Sequence, residues 1–124
     1  MSMLTSRVST APRRALGGLV SHVLLQDGDA GDSALTITWV EVAPGARQAP
    51  HQHEPEQVYV VVSGQGRMRI AHEERDLESG ALALVPSGAT HGITNTGDEP
   101  LVYVSAATPA FRVTELYDTG ELRR

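Results

Sequence analysis

Two histidines separated by one residue, His51 and His53, and a glutamine four positions further on, Gln57, are the side chains with the clearest chemical capacity. In an extended chain, residues i and i+2 point to the same face. His51 and His53 can therefore aim two imidazoles at one point, and Gln57, carried by the strand that follows, can supply a third group. Imidazole is the commonest protein ligand for transition metals, and an amide oxygen is an acceptable harder partner. Three such groups call for a fourth from elsewhere in the chain.

The elements that must position these residues read as short strands between Gly and Pro turns. Leu19 to Gln26 is a first strand, and DGDAGDS (Asp27 to Ser33) is a turn or loop of turn-favouring residues. Leu35 to Val42, LTITWVEV, is rich in β-branched residues and is broken by Pro44 and Gly45. Val58 to Val62, VYVVV, is apolar throughout and predicts a strand buried on both faces. Ser63 to Gly66 marks a hairpin. Arg67 to Ala71 then alternates, placing Met68 and Ile70 inward and Arg67 and Arg69 outward. HEERD (His72 to Asp76) predicts another turn, followed by strands over Ala81 to Val85, His91 to Thr96 and Leu101 to Ala107. The remainder, from Ala110, predicts either a last strand or a short helix packed outside. No convincing amphipathic helix appears, so the pattern is that of an all-β sandwich or barrel.

Composition narrows the function. The 124 residues form one domain, which buries roughly two-thirds of its unfolded surface. A formal net charge of -5 argues against nucleic-acid binding, which normally needs a basic face. All ten basic residues are arginines, which excludes Schiff-base chemistry and a lysine general base. With no cysteine, thiolate catalysis, zinc–thiolate sites and disulfides are excluded as well. No apolar run approaches the ~20 residues of a membrane span, and the expected location is cytoplasmic. Residues 1–15 are expected to form a flexible basic N-terminal arm, with residues 16–124 as the single domain.

The fourth ligand lies in GALALVPSGATHGITN, Gly80 to Asn95. Together the two stretches resemble the cupins, whose first motif G-x5-H-x-H-x3,4-E-x6-G is matched here by Gly45, His51, His53, Gln57 in place of Glu, and Gly64. The second, G-x5-P-x-G-x2-H-x3-N, is matched by Gly80, Pro86, Gly88, His91 and Asn95. Nine of the ten fixed positions agree, and the motif-bearing core covers about residues 35–107. The resemblance implies a double-stranded β-helix, the cupin jelly-roll barrel. It also implies that His91 joins His51, His53 and Gln57 in the barrel mouth around one divalent metal ion (Zn, Mn, Ni or Fe). The four motif glycines stand where a barrel turns corners and positive φ is common.

Glutamine brings no charge where glutamate would bring one. The ion then keeps its full charge and is a stronger Lewis acid, while its charge-driven retention is weaker. A His, His, Gln, His set is similar to that of some non-oxidative cupins, among them isomerases and lyases. Glu56 is expected to point away from the site and Glu54 to lie in a loop. Tyr59 is the candidate catalytic residue, able to serve proton transfer or else to be ordinary core. Met68 shares the choice between cavity wall and core. Trp39 reads as core or subunit interface, His22 and His72 as surface or structural. Asn95 is expected to fix a turn or strand end, and Arg47 and Arg112 to be solvated rather than to meet a carboxylate at the barrel mouth. The expected function is a metal-dependent isomerase or lyase acting on a small polar metabolite, as a homodimer without nucleic-acid or membrane partners. A metal-dependent dioxygenase and a non-catalytic sugar- or carboxylate-binding protein are the alternatives.

Overall fold

The computed structural model describes residues 3–121, so residues 1–2 of the expected arm and 122–124 of the C-terminal segment lie outside the described residues. Nine strands and one short helix follow in chain order. They are β1 (Arg13–Leu16), β2 (Leu19–Leu25), β3 (Thr36–Val42), β4 (Glu56–Ser63), β5 (Gln65–Ile70), β6 (Glu73–Glu78), β7 (Leu82–Val85), β8 (His91–Asn95), β9 (Leu101–Thr108) and α1 (Val113–Asp118). Six strands form one sheet in the order β1-β2-β3-β9-β4-β7, and three form a second in the order β6-β5-β8, with every pairing antiparallel. This is the all-β jelly roll expected from the two motifs.

Alternation decides which side chains reach the interior. In β3, Thr36, Thr38, Val40 and Val42 are buried while the residues between them are half-buried. In β9 the inward set is Leu101, Tyr103, Ser105 and Ala107. Val40, Val42, Val61, Val85, Ile93, Leu101 and the two tyrosines Tyr59 and Tyr103 form the core between the sheets, with Met68 from β5. Burial of this apolar surface is the main term stabilising the barrel.

The expected doubly buried VYVVV strand is half right. Gln57, Tyr59 and Val61 point inward, but Val58 and Val60 are half-buried on the outer face and Val62 is exposed. An apolar run can equally be a strand with one solvent-side face. HEERD is not a turn: Glu73 opens β6, and the reversal is made at Ala71 and His72, with Ala71 at φ 53°. Cross-strand charge explains why an acidic stretch is extended here, since Arg67 on β5 reaches Glu74 at 3.1 Å and Asp76 at 2.9 Å on β6. The arm reading placed residues up to 15 outside the domain, whereas Arg13–Leu16 pairs with β2 in register Arg13 to His22. The C-terminal stretch takes the helical option, as α1.

Gly45, Gly64, Gly80 and Gly88 all have positive φ, as expected at corners. Gly64 is the most constrained, since a Cβ there would collide with the Pro100 carbonyl. Asn95 ties one end of the barrel: its Nδ2 donates to the carbonyls of Val42 and Glu99, and its Oδ1 accepts from Gly97 N–H.

Candidate metal centre

Backbone pairing brings the two motifs together. His51 N–H donates to the His91 carbonyl at 2.9 Å, and His91 N–H returns the bond to His51 at 2.8 Å. On either side, Gln48 N–H donates to Ile93 O and Gly88 N–H to His53 O. The turn built by Pro86 and Gly88 is thus pinned to the loop that carries the first two histidines. Gln57 enters from β4, facing Val85 on β7 and Ala107 on β9.

The imidazoles of His51, His53 and His91 converge, each offering a ligand atom within 4.8 Å of the others'. Ring centroids lie 4.3 Å apart for His51 and His91, 5.1 Å for His53 and His91, and 5.5 Å for His51 and His53. Each ring is held by its Nδ1: His51 against Ala49 O at 3.1 Å, His53 against Pro55 O at 3.1 Å, His91 against Ala89 O at 2.9 Å. A carbonyl can only accept, so each Nδ1 carries the proton and each Nε2 keeps its lone pair. This is the tautomer a metal ligand needs, set by the hydrogen bond on the other nitrogen.

Among the described residues, two buried side-chain polar atoms lack a hydrogen-bond partner, and both belong here: Gln57 Oε1 and His91 Nε2. Leaving a buried acceptor unsatisfied costs about 1–3 kcal/mol. Gln57 lines one cavity with His51 and His53, so two such acceptors stand at the cluster, and a donor set of three imidazole nitrogens and one amide oxygen suits a divalent transition metal. Burial, at 1 % exposure, lowers the His91 pKa to about 4. The Ala89 hydrogen bond opposes this and the neighbouring His51 and His53 add to it.

Below the histidines lies a small cavity of about 60 Å³, bordered by Gln48, Gln57, Tyr59, Tyr103 and Ser105 among others. Tyr59 is fully buried; its hydroxyl donates to Gln48 Oε1 at 2.7 Å, and its ring stacks on Tyr103 at 4.5 Å. Burial pushes the Tyr59 pKa up, partly offset by the Gln48 bond, so the hydroxyl keeps its proton. The C-terminal segment contributes Phe111, Val113, Leu116 and Tyr117 to the cavity wall. Phe111 lies 5.7 Å from the His53 ring, and the Tyr117 hydroxyl bonds Ser21 Oγ at 2.6 Å. Arg14 grips Asp118 through two hydrogen bonds of 2.8 and 3.1 Å.

The structure brings His51, His53, Gln57, His91 and Tyr59 into one place. Glu56 is exposed, pointing away as expected, and Glu54 is exposed in the loop. Met68 is buried in the core and borders a different groove, with Ile70 and Leu77, rather than the cavity at the histidines. Trp39 is half-buried on the outer face, donating to Glu41, and His22 lies 3.9 Å from the same carboxylate. His72 is exposed. Arg112 is engaged with Asp27 O and Glu115, and Arg47 pairs through its backbone with Thr94. Gln48, Tyr103, Ser105, Phe111 and Tyr117 went unrecognised in the sequence. Each is a lone residue in a strand, loop or tail, without a spacing that marks it.

The chain is 28% identical over 80 residues to dimethylsulfoniopropionate lyase DddW of Ruegeria pomeroyi, a match covering 64% of this chain and 52% of that protein. The matched stretch thus spans about half the length of that relative. An RmlC-like cupin from Shewanella frigidimarina superposes with a TM-score of 0.74 at 22% identity, covering 88% of this chain and 93% of the other. A predicted oxalate decarboxylase from Thermotoga maritima gives 0.77 at 19% identity, covering 86% and 99%. These structures share the fold. The family model described as Cupin domain matches residues 38–107, the segment that carries both histidine motifs, and the chain belongs to the cupin family.

Proposed function

We propose that this protein is a metal-dependent enzyme of lyase or isomerase type acting on a small polar metabolite, with one divalent ion held by His51, His53, Gln57 and His91. The observation that carries the reading is the pair of orphaned acceptors, Gln57 Oε1 and His91 Nε2, at a cluster whose Nδ1 atoms are already tied. When bound, the ion (zinc, manganese, nickel or iron) supplies Lewis acidity to a substrate carbonyl or carboxylate oxygen. The four protein groups are neutral, so they leave the ion's charge uncompensated and favour an anionic substrate.

The chain's own residues do the rest. Tyr59, protonated and oriented by Gln48, holds a proton beside the cluster and can donate it to a substrate oxygen. No carboxylate or arginine lines the cavity among the described residues; of the three tyrosines that do, Tyr59 is the one whose ring meets His91, which makes it the candidate proton carrier. Phe111 and Tyr117 give the cavity an aromatic wall beside the cluster. The similarity to a dimethylsulfoniopropionate lyase favours elimination over isomerisation, in which the substrate C–H proton would pass to Tyr59 as its phenolate, the form that the charge of a bound ion favours.

The test is turnover by the metal-loaded protein, followed by NMR, with dimethylsulfoniopropionate and a panel of small hydroxy and keto acids. Substrate loss in the wild type that falls at least about tenfold in Tyr59→Phe fits the proposal. Saturable binding without any turnover would replace it with a small-molecule binding protein.

A homodimer is part of the same proposal. The outer face of the six-stranded sheet presents Val62, Leu82 and Leu84 exposed, beside the half-buried Val58 and Val60.

A further inference from the structure

Ser105 is buried on β9 between Tyr103 and Ala107, and its Oγ takes the hydrogen bond from Gln57 Nε2. Resting on the metal reading above, we propose that Ser105 is a positioning residue. It fixes which end of the Gln57 amide faces the histidines, and so lets a neutral glutamine serve as a metal ligand.

An amide has two ends of opposite use. The oxygen carries lone pairs, whereas the NH₂ nitrogen has its pair delocalised and presents positive hydrogens. Only the oxygen can meet a cation. At Gln57 the oxygen has no hydrogen-bond partner, while the NH₂ group has an acceptor in Ser105. Without that acceptor the buried NH₂ would be unsatisfied. A rotation that exchanges the two ends puts the NH₂ where the unpartnered oxygen now stands, in the cavity Gln57 shares with His51 and His53, and His91 Nε2 is itself without a partner. Gln57 would then change from a ligand into a donor that occupies the lone pairs a metal needs.

A hydroxyl donates as well as accepts. The same serine can therefore give its proton to a carboxylate at position 57, and Gln57→Glu needs no second substitution. A carboxylate has two equivalent oxygens and cannot be placed the wrong way round. Loss of the Ser105 hydroxyl should thus matter more beside glutamine than beside glutamate, whereas a purely structural serine would matter equally beside both.

The experiment is cobalt(II) titration of the metal-free protein, reading affinity and the visible d–d spectrum, with circular dichroism confirming the fold. The proteins are wild type, Ser105→Ala, Ser105→Thr, Ser105→Val, Gln57→Glu and Gln57→Glu/Ser105→Ala. Ser105→Ala should bind cobalt about tenfold more weakly with an altered spectrum, and less than about threefold more weakly in the glutamate background. If alanine at 105 unfolds the protein, threonine and valine decide the matter, being alike in shape but only one carrying a hydroxyl; threonine should restore binding and valine should not. Unchanged affinity and spectrum on losing the hydroxyl, or equal losses in both backgrounds, would overturn the role of Ser105 and leave the metal site standing. A wild type that takes up no cobalt would overturn both.

Discussion

His91 is the imidazole most enclosed by the barrel, and its burial has a thermodynamic consequence that can be read without any metal. An unfolded chain protonates a histidine near pH 6.5, while the folded chain holds His91 neutral to about pH 4. Between those values the unfolded state binds more protons, so acidification favours unfolding. The metal-free protein, kept in chelator, should lose on the order of 2 kcal/mol of stability between pH 7 and pH 5 from this group. Urea melts at the two values measure it, with His91→Gln as the control in which this part of the loss disappears. The residues that carry the site were legible where chemistry and spacing coincide. His51 and His53 share a face because they are two apart in an extended chain, and His91 follows a Pro–Gly turn. Ser105 and Gln48 gave no such signal: Ser105 meets Gln57 across 48 positions of sequence, and Gln48 meets Tyr59 from a loop without a motif.

Strands and turns place those residues, and the two motif glycines Gly64 and Gly88 separate two kinds of constraint. Both have positive φ, 80° and 79°, but a Cβ at Gly88 would meet open space whereas one at Gly64 would strike the Pro100 carbonyl. Gly88→Ala should therefore cost only the left-handed backbone, about 1–2 kcal/mol, and Gly64→Ala visibly more. Thermal denaturation of the two variants gives the comparison; equal losses would mean that backbone strain alone sets both. At this scale the sequence was less transparent. Glu73–Glu78 lacks β-propensity and is extended because β5 offers arginine across the strand pair. The apolar VYVVV could not announce that one of its faces is left outside. α1 could be foreseen only as one of two options, and nothing in VTELYD marks it as part of the wall of the cavity at the histidines; that depends on Ser21, Gln26 and Arg14 from the other end of the chain.

Taken whole, the molecule is a barrel with a polar cluster inside one end and an apolar sheet face outside. Among the described residues no helix is long and apolar enough to cross a membrane. Leu82 and Leu84 on β7 are 58% and 52% exposed, side by side with Val58 and Val60 on β4. Covering that face with a second copy predicts a dimer by light scattering that Leu82→Asp/Leu84→Asp converts to a folded monomer; a wild-type monomer at micromolar concentration would contradict it. The two halves of the sequence motif meet only because the barrel closes His51 against His91, so the proposed metal centre is itself a property of the whole fold. Its most direct test is elemental analysis of untagged protein, purified without added metal or chelator, beside His51→Ala. The account predicts about one equivalent of a single divalent metal in the wild type, as befits a four-group site, and little or none in the variant. No metal in either protein, even after soaking, would contradict it.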